Sequence, residues 1–300
     1  MKALFNQWIR LAWLIVAKRR LPASAYDYEQ ARTDALKGFN QFCPKPFKTP
    51  AKSNQDERAI ILYGKLLMGQ AAFLKNSLTR KAGHLLVPGL NLAYIRNPKA
   101  ASTSIAFAML KAIYTELEKL EPSAEQINFL SDVNLHKGLV KREIPVQYFI
   151  VVRNPFERLV SVYRDFFETS SDHFIYDDYL FGILKKDLAF PEFVNRIFLI
   201  PDILKDQHLK PQHTFLAFYE KRNQNIKILK LENYQEIDAF FLQYKLKLPD
   251  INKNPLQVDY RKYYDSTTLE KAFQMYAKDV QLFGYEEGYE NLKNHLKKIH

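Results

Sequence analysis

Short apolar runs that alternate with helical patterns constrain the fold more than any other feature of this sequence. The runs lie at residues 92–95, 148–152 and 226–231, and the helical patterns lie at 102–119, 156–167 and 269–283. The runs are too short for typical helices and rich in β-branched or aromatic residues, which favours buried strands. The alternation predicts an α/β fold with a mainly parallel sheet covered by helices on both faces. Ligands are then expected beyond the carboxyl ends of the strands.

The folded domain is expected where the strand and helix patterns are closely spaced along the chain. The chain has 300 residues and 47% hydrophobic content, enough for a substantial core. We predict an amphipathic N-terminal helix at 1–20, a linker or wrapping arm at 21–58 that contains four prolines, and one folded domain at 59–293.

The N-terminal segment has the pattern of a helix at a membrane surface. Residues 3–17 are apolar but are interrupted by Asn6, Gln7 and Arg10, and fall short of the ~20 apolar residues of a spanning helix. On a helix the apolar side chains share one face, and basic residues follow at 18–20. Two alternatives stay open, a core helix of the domain and a signal peptide.

The charge balance favours an anionic partner. The formal net charge is +11, which suits a nucleotide, an acidic polysaccharide, nucleic acid or an anionic membrane, or serves solubility alone. Cys43 is the only cysteine. No intramolecular disulfide can form, which favours a reducing cytoplasm.

The first chemical motif follows the run at 92–95. Residues 98–104 read PKAASTS and lead directly into a helical pattern. A lysine, small residues and hydroxyls at a helix start suit a phosphate-binding loop. The alternative is an ordinary helix in which Ser102 or Thr103 is the N-cap. The sequence is not a Walker A loop, because the required glycines are absent.

The second motif follows the run at 148–152. Residues 153–167 read RNPFERLVSVYRDFF, with Arg153 at the predicted strand end and Ser161 eight residues later on a helix. An arginine and a hydroxyl can hold a second phosphate by charge-assisted hydrogen bonds. The alternative is that Arg153 and Arg158 are solvated or pair with Glu157.

These motifs together resemble the carbohydrate sulfotransferase family, also called sulfotransferase family 2, in its bacterial type. PKAASTS resembles the family's 5′-phosphosulfate loop and the second motif its 3′-phosphate motif. His208 to Gln212 is similar to the family's H-x-x-P-Q segment, and 260–285 is similar to its closing helix. The resemblance covers about 90–288 and implies a P-loop-like three-layer α/β sandwich that is a PAPS-dependent sulfotransferase with a carbohydrate acceptor.

The resemblance also implies the site. PAPS (3′-phosphoadenosine-5′-phosphosulfate) is the expected co-substrate, with no metal required and no nucleic-acid partner. Lys99 is expected to neutralise charge on the leaving phosphate. The expected 5′-phosphate contacts are Lys99, Ala100, Ala101, Ser102, Thr103 and Ser104, and the expected 3′-phosphate contacts are Arg153 and Ser161.

The acceptor hydroxyl needs a general base, for which His136 is the candidate. The alternatives are His208, Asp132 and Glu168. Basic residues elsewhere either bind an acidic glycan or form a solvated surface: Lys137, Lys141, Arg142, Lys210, Arg261 and Lys262.

The sequence also predicts a cellular compartment and leaves two competing functions. The cysteines of vertebrate Golgi members and a clear signal anchor are missing, so we expect a cytoplasmic enzyme with peripheral contact to the inner membrane face through residues 1–20. One rival is a nucleotide-dependent phosphotransferase with a degenerate phosphate loop, which needs acidic Mg²⁺ ligands. The other is a non-catalytic protein that binds anionic surfaces and would tolerate loss of Lys99.

Overall fold

The computed structural model describes residues 83–119, 122, 124–137, 139, 145–168, 184, 188–202, 205, 207–249 and 259–298. The predicted helix at 1–20 and the predicted linker at 21–58 lie outside these residues, as does the beginning of the predicted domain at 59–293. The described chain forms two compact units. The sheet unit comprises the described residues of 27–152 and 215–254, and the helical unit those of 153–214 and 255–300.

The sheet unit is built on one mixed five-stranded sheet in the described residues. Its strands are β1 (Gly83–Val87), β2 (Leu92–Ile95), β3 (Leu135–Lys137), β4 (Gln147–Val152) and β5 (Ile226–Lys230), in the order β3-β1-β2-β4-β5. The β2–β4 and β4–β5 pairs are parallel, whereas β1 runs antiparallel to β2 and to β3. Four strands therefore share one direction, and the carboxyl ends of β2 and β4 meet at one edge of the sheet.

Successive side chains of a strand point to opposite faces of the sheet. The helices of the sheet unit pack on these faces and bury their apolar side chains. They are α1 (Ser102–Ile113), α2 (Ala124–Val133), α5 (Ala217–Glu220) and α6 (Tyr234–Gln243). One core cluster joins one face of the sheet, including Tyr94 and Phe149, to side chains of α1, α2 and α6. Tyr219 of α5 packs against His84 and Tyr148, with ring centroids 5.9 and 5.0 Å apart.

The helical unit is organised around one long helix. Its helices are α3 (Pro155–Tyr163), α4 (Phe190–Leu199), α7 (Ser266–Phe283) and α8 (Glu286–Lys297). An Asp265–Thr268 capping box begins α7, and Gly284, at a φ of 65°, ends it. The buried face of α7 has helical spacing, and the helix packs against α3, α4 and α8.

The structure confirms the predicted α/β class and the mainly parallel sheet flanked by helices. The three predicted strands are β2, β4 and β5 within a residue at their ends, and the helix expected at 269–283 is α7. Two strands were not predicted. β3 has only three residues, and β1 (GHLLV) contains a histidine and has no sustained alternation.

Two predicted helices are shorter than expected. The pattern at 102–119 divides at Tyr114, whose backbone is extended, and a 3₁₀ turn at Thr115–Lys119 follows. The Tyr114 hydroxyl donates to Asn134 Oδ1 at 2.8 Å, which holds this break in place. The pattern at 156–167 leaves α-helical geometry after Tyr163, where a π-helical turn spans Arg164–Glu168. Such turns are frequent at functional sites.

In the part of the chain that the structure describes, no helix combines the length and the apolar character needed to cross a bilayer.

Candidate active site

The loop that follows β2 has an unusual backbone. Lys99 and Ala101 have φ angles of 66° and 55°, in the left-handed region that residues with a Cβ avoid. Ala100 between them does not have positive φ and is fully buried. Alternating backbone handedness turns successive N–H groups toward one concave surface, the arrangement called an anion-binding nest. A nest therefore lies in the PKAASTS motif.

Helix α1 begins directly after this nest and has no side-chain cap. Its N-cap residue is Ala101, so the alternative in which Ser102 or Thr103 is the N-cap is wrong. Ser102 is half-buried, and within the described structure its hydroxyl makes no hydrogen bond. The first N–H groups of a helix need acceptors and carry positive partial charge. The nest residues and the start of α1 are contiguous, and no side chain caps the first N–H groups of the helix, an arrangement that suits an anion.

Buried amides hold this loop against the sheet. Asn97 is fully buried; its side chain donates to the Val151 carbonyl of β4 at 2.8 Å, and its N–H donates to the Tyr94 hydroxyl at 3.3 Å. Asn128 of α2 accepts from Arg96 at 3.0 Å and from Thr103 at 3.4 Å. Neither asparagine carries a local sequence signal, because each acts through a partner distant in the sequence. They stabilise a conformation whose left-handed residues are costly.

The second motif begins where β4 ends. Asn154 caps α3, and its Oδ1 accepts from the N–H groups of Phe156 and Glu157 at 3.0 and 3.4 Å. Arg153 precedes this cap and Ser161 lies on α3, as the motif predicts. The Ser161 hydroxyl is half-exposed and has no hydrogen-bond partner among the described residues.

The two arginines of this motif differ in their surroundings. Arg153 Nη2 lies 2.5 Å from Glu157 Oε1, so the alternative pairing with Glu157 is present in this structure. Arg158 is buried and donates to the carbonyls of Lys210 and Gln207, both at 3.0 Å. Arg158 therefore holds two backbone carbonyls in place and is shielded from solvent. The guanidinium of Arg153, in contrast, is partly exposed.

His136 lies on β3, at the sheet edge where β2 ends. The register places His136 opposite His84 of β1, and His84 opposite Ile95, the last residue of β2. The His136 side chain is exposed and stacks on His84 with ring centroids 5.9 Å apart. Since adjacent strands are ~4.8 Å apart, His136 lies about 10 Å across the sheet from the start of the nest loop.

His84 of β1, which no local sequence pattern marked as a site residue, is a buried histidine that stacks against His136. Its Nδ1 lies 3.1 Å from the Tyr219 hydroxyl, and its buried Nε2 has no hydrogen-bond partner in the described structure. Burial, and secondarily the proximity of His136, lowers the pKa of His84 to about 4. His84 is therefore neutral near pH 7 and presents an uncharged ring to His136.

The alternative bases occupy separate positions. His208 packs edge-on against Phe166 at 5.0 Å, in the helical unit. Glu168 accepts from Arg164 at 3.1 Å and from the Tyr263 hydroxyl at 2.7 Å. Asp132 lies in α2. The Glu168 carboxylate is therefore already engaged by two donors.

The basic residues outside the motifs have different surroundings. Arg261 pairs with Asp259 at 2.7 Å. The backbone carbonyl of Lys210 accepts a hydrogen bond from the buried Arg158. Lys141 and Arg142 are outside the described residues. In the described part of the chain, no group of three or more His, Cys, Asp or Glu residues has the arrangement of a metal site.

Comparison with known proteins identifies the family. A family model described as the sulfotransferase family matches residues 85–286, which include both motifs. No curated protein and no solved structure matches the chain significantly. The matched region covers more than half of the chain, and the chain therefore belongs to the sulfotransferase family.

Proposed function

We propose that this protein transfers a sulfuryl group from PAPS to a hydroxyl of a carbohydrate. The observation that carries the proposal is the nest at Lys99 to Ala101 in front of the uncapped start of α1. It supplies backbone donors and positive charge at the carboxyl end of β2, where α/β proteins bind their ligands. Family membership supports sulfuryl transfer in general.

The donor would be held at its two phosphates. The residues proposed for the 5′-phosphate are Lys99, Ala100, Ala101, Ser102, Thr103 and Ser104, through backbone N–H groups, hydroxyls and the lysine charge. Arg153 and Ser161 are proposed for the 3′-phosphate, which distinguishes PAPS from ATP. Ser161 offers a hydroxyl that no described residue uses. Arg153 would exchange Glu157 for a phosphate that carries more charge.

Lys99 would act mainly on the leaving group. The S–O bond to the 5′-phosphate breaks while a bond forms between sulfur and the acceptor oxygen, and the products are adenosine 3′,5′-bisphosphate and a sulfate ester. By analogy with phosphoryl transfer, such a reaction depends on positioning and on neutralising charge rather than on covalent participation of the protein. Lys99 and the N–H groups of the nest would stabilise negative charge as it develops on the phosphate.

The acceptor proton would pass to His136. Histidine is the commonest general base near neutral pH, and this ring is exposed at the level of the last residue of β2. The neutral His84 ring beneath it adds no competing charge. A carbohydrate acceptor is supported by the resemblance of the four motifs to the carbohydrate branch of the family, and an anionic glycan suits the net charge of +11.

Calorimetric titration with adenosine 3′,5′-bisphosphate, ATP and 5′-AMP tests the donor. We expect the bisphosphate to bind in the micromolar range and at least tenfold more tightly than 5′-AMP, a difference of ~1.4 kcal/mol. Lys99→Ala and Arg153→Ala should each weaken bisphosphate binding about tenfold. Lys111→Ala, which removes a lysine from the last turn of α1, at the end of that helix away from the nest, is the matched control and should leave binding unchanged.

Other outcomes would overturn the proposal. Equal binding of ATP and the bisphosphate would support a phosphotransferase, and binding of neither would remove the donor. Transfer of labelled sulfate from PAPS to a panel of neutral and acidic glycans then tests the acceptor. His136→Ala should lower the transfer rate by a factor of ~10² or more with unchanged bisphosphate affinity, and an unchanged rate would exclude His136 as the base.

A further inference from the structure

The backbone of Arg153 is held by a buried side chain from another segment. Gln212 is fully buried, its Oε1 accepts from the Arg153 N–H at 3.0 Å, and its Nε2 donates to the Arg153 carbonyl at 2.7 Å. One amide thus satisfies both backbone groups of the residue after β4, in the way a neighbouring strand would. A side chain that makes both bonds fixes the direction in which the Arg153 side chain leaves the backbone.

Gln212 is held in turn by Asp279 of α7. The carboxylate accepts from the Gln212 N–H at 2.6 Å, from the His213 N–H at 2.8 Å and from His213 Nδ1 at 2.7 Å. Asp279 is fully buried, and a buried carboxylate is tolerated only where donors compensate for lost hydration. Asp279 also satisfies the first N–H groups of the 3₁₀ turn Gln212–Phe215, which no residue of that turn can do.

The segment before Gln212 is secured from two further directions. Tyr276, one turn before Asp279 on α7, donates its hydroxyl to the Leu209 carbonyl at 2.9 Å. Arg158 donates to the carbonyls of Gln207 and Lys210. These bonds come from α3 and α7 and leave residues 207–213 little freedom to shift. The H-x-x-P-Q segment is therefore a rigid support rather than a loop that must order on binding.

We infer that Gln212 and Asp279 are positioning residues that direct Arg153 toward a 3′-phosphate and so set the preference for 3′-phosphorylated nucleotides. The inference rests on the proposed function of Arg153. It assigns the H-x-x-P-Q segment and the closing helix a physical role: both act through one arginine backbone. Neither Gln212 nor Asp279 needs to touch the nucleotide.

The test compares two ligands that differ only in the 3′-phosphate. Calorimetry measures the dissociation constants of adenosine 3′,5′-bisphosphate and 5′-AMP for the full chain carrying Gln212→Met or Asp279→Asn. Both substitutions nearly preserve side-chain volume. We expect about tenfold weaker bisphosphate binding, as for loss of one charged hydrogen bond, and 5′-AMP binding within twofold of wild type. Gln274→Met, on the exposed side of α7, is the matched control and should change neither constant.

A double-mutant cycle separates positioning from general destabilisation. If Gln212 acts through Arg153, Gln212→Met should add no further loss in the Arg153→Ala background. Equal losses for both ligands, additive losses in the cycle, or unchanged discrimination would each overturn the inference. If Gln212→Met does not fold, as judged by circular dichroism, Asp279→Asn and its own cycle with Arg153→Ala decide. A wild type without preference for the bisphosphate would instead refute the proposed function.

Discussion

The left-handed backbone at Ala101 predicts opposite effects for the same substitution at two adjacent alanines. An L-residue at positive φ costs roughly 1–2 kcal/mol relative to glycine, whereas glycine loses about 0.4–1 kcal/mol more backbone entropy on folding. Ala101 has a φ of 55°. Ala101 also packs its partly buried methyl against the core cluster. Ala101→Gly should therefore stabilise the protein by about 0.5 kcal/mol, because relief of strain exceeds the lost entropy and packing.

Ala100→Gly is the matched control, because Ala100 has no positive φ and is fully buried. Glycine here relieves no strain, removes one buried methyl worth about 0.8 kcal/mol and adds the same entropy cost. The expected loss is about 1–2 kcal/mol. The two variants should therefore differ by roughly 2 kcal/mol, with opposite signs.

Urea unfolding followed by circular dichroism measures both free energies, provided that wild type and variants show a single transition with the same slope. Bisphosphate binding should persist in Ala101→Gly, because glycine adopts the left-handed conformation of the nest readily. If Ala101→Gly destabilises the protein as much as Ala100→Gly, the loop does not hold the strained backbone from which the anion site is inferred.

Three further predictions concern the α3 cap, the buried histidine and the N-terminal segment. Asn154→Ala should lower the unfolding free energy by about 1–2 kcal/mol, because Asn154 is a buried N-cap whose side chain accepts two hydrogen bonds. Asn233→Ala, which removes an exposed N-cap, should lower it by less. Equal losses in urea unfolding would contradict this. Because the pKa of folded His84 is about 4, below its ordinary value of 6.5, the unfolded chain takes up the proton first, and stability should fall as pH drops from 6.5 to 4. The loss should total roughly 3 kcal/mol. When unfolding free energies from urea titrations are plotted against pH across this window, they should fall less steeply for His84→Gln than for wild type. An equally steep fall would exclude His84 as the source of the pH dependence. In liposome flotation with anionic vesicles, the full chain should float more than a chain beginning at Pro22, and equal partitioning would exclude a membrane-surface helix at 1–20.

The ion pair with Glu157 holds the partly exposed guanidinium of Arg153 in one orientation. Glu157 lies in the first turn of α3, where its charge is also favourable to the helix. Pairs at one-turn spacing on a helix contribute only about 0.3–0.5 kcal/mol, and these two side chains are 20% and 32% exposed. The support beneath Arg153 acts through its backbone and does not depend on this pair.

Local sequence patterns determined the strands β2, β4 and β5, the helix α7 and the positions of the two motifs that follow β2 and β4. These features depend on periodicity, on proline and hydroxyl placement at helix starts, and on residue spacing within one segment. Such signals act over a few residues and can be read without knowing the fold. β3 has three residues and β1 lacks a clean alternation, so neither had enough local signal.

Tertiary structure alone decided how the motif residues are held. The left-handed backbone at Lys99 and Ala101 occurs at residues that avoid it, and partners such as Val151 and Asn128, distant in sequence, stabilise it. Gln212 supports Arg153 across 59 residues, and Asp279 supports Gln212 across 67. A hydrogen bond between distant segments leaves no periodic pattern and no local composition in the sequence by which it could be predicted. It exists only once packing has brought the buried groups together and removed the water that would otherwise satisfy them.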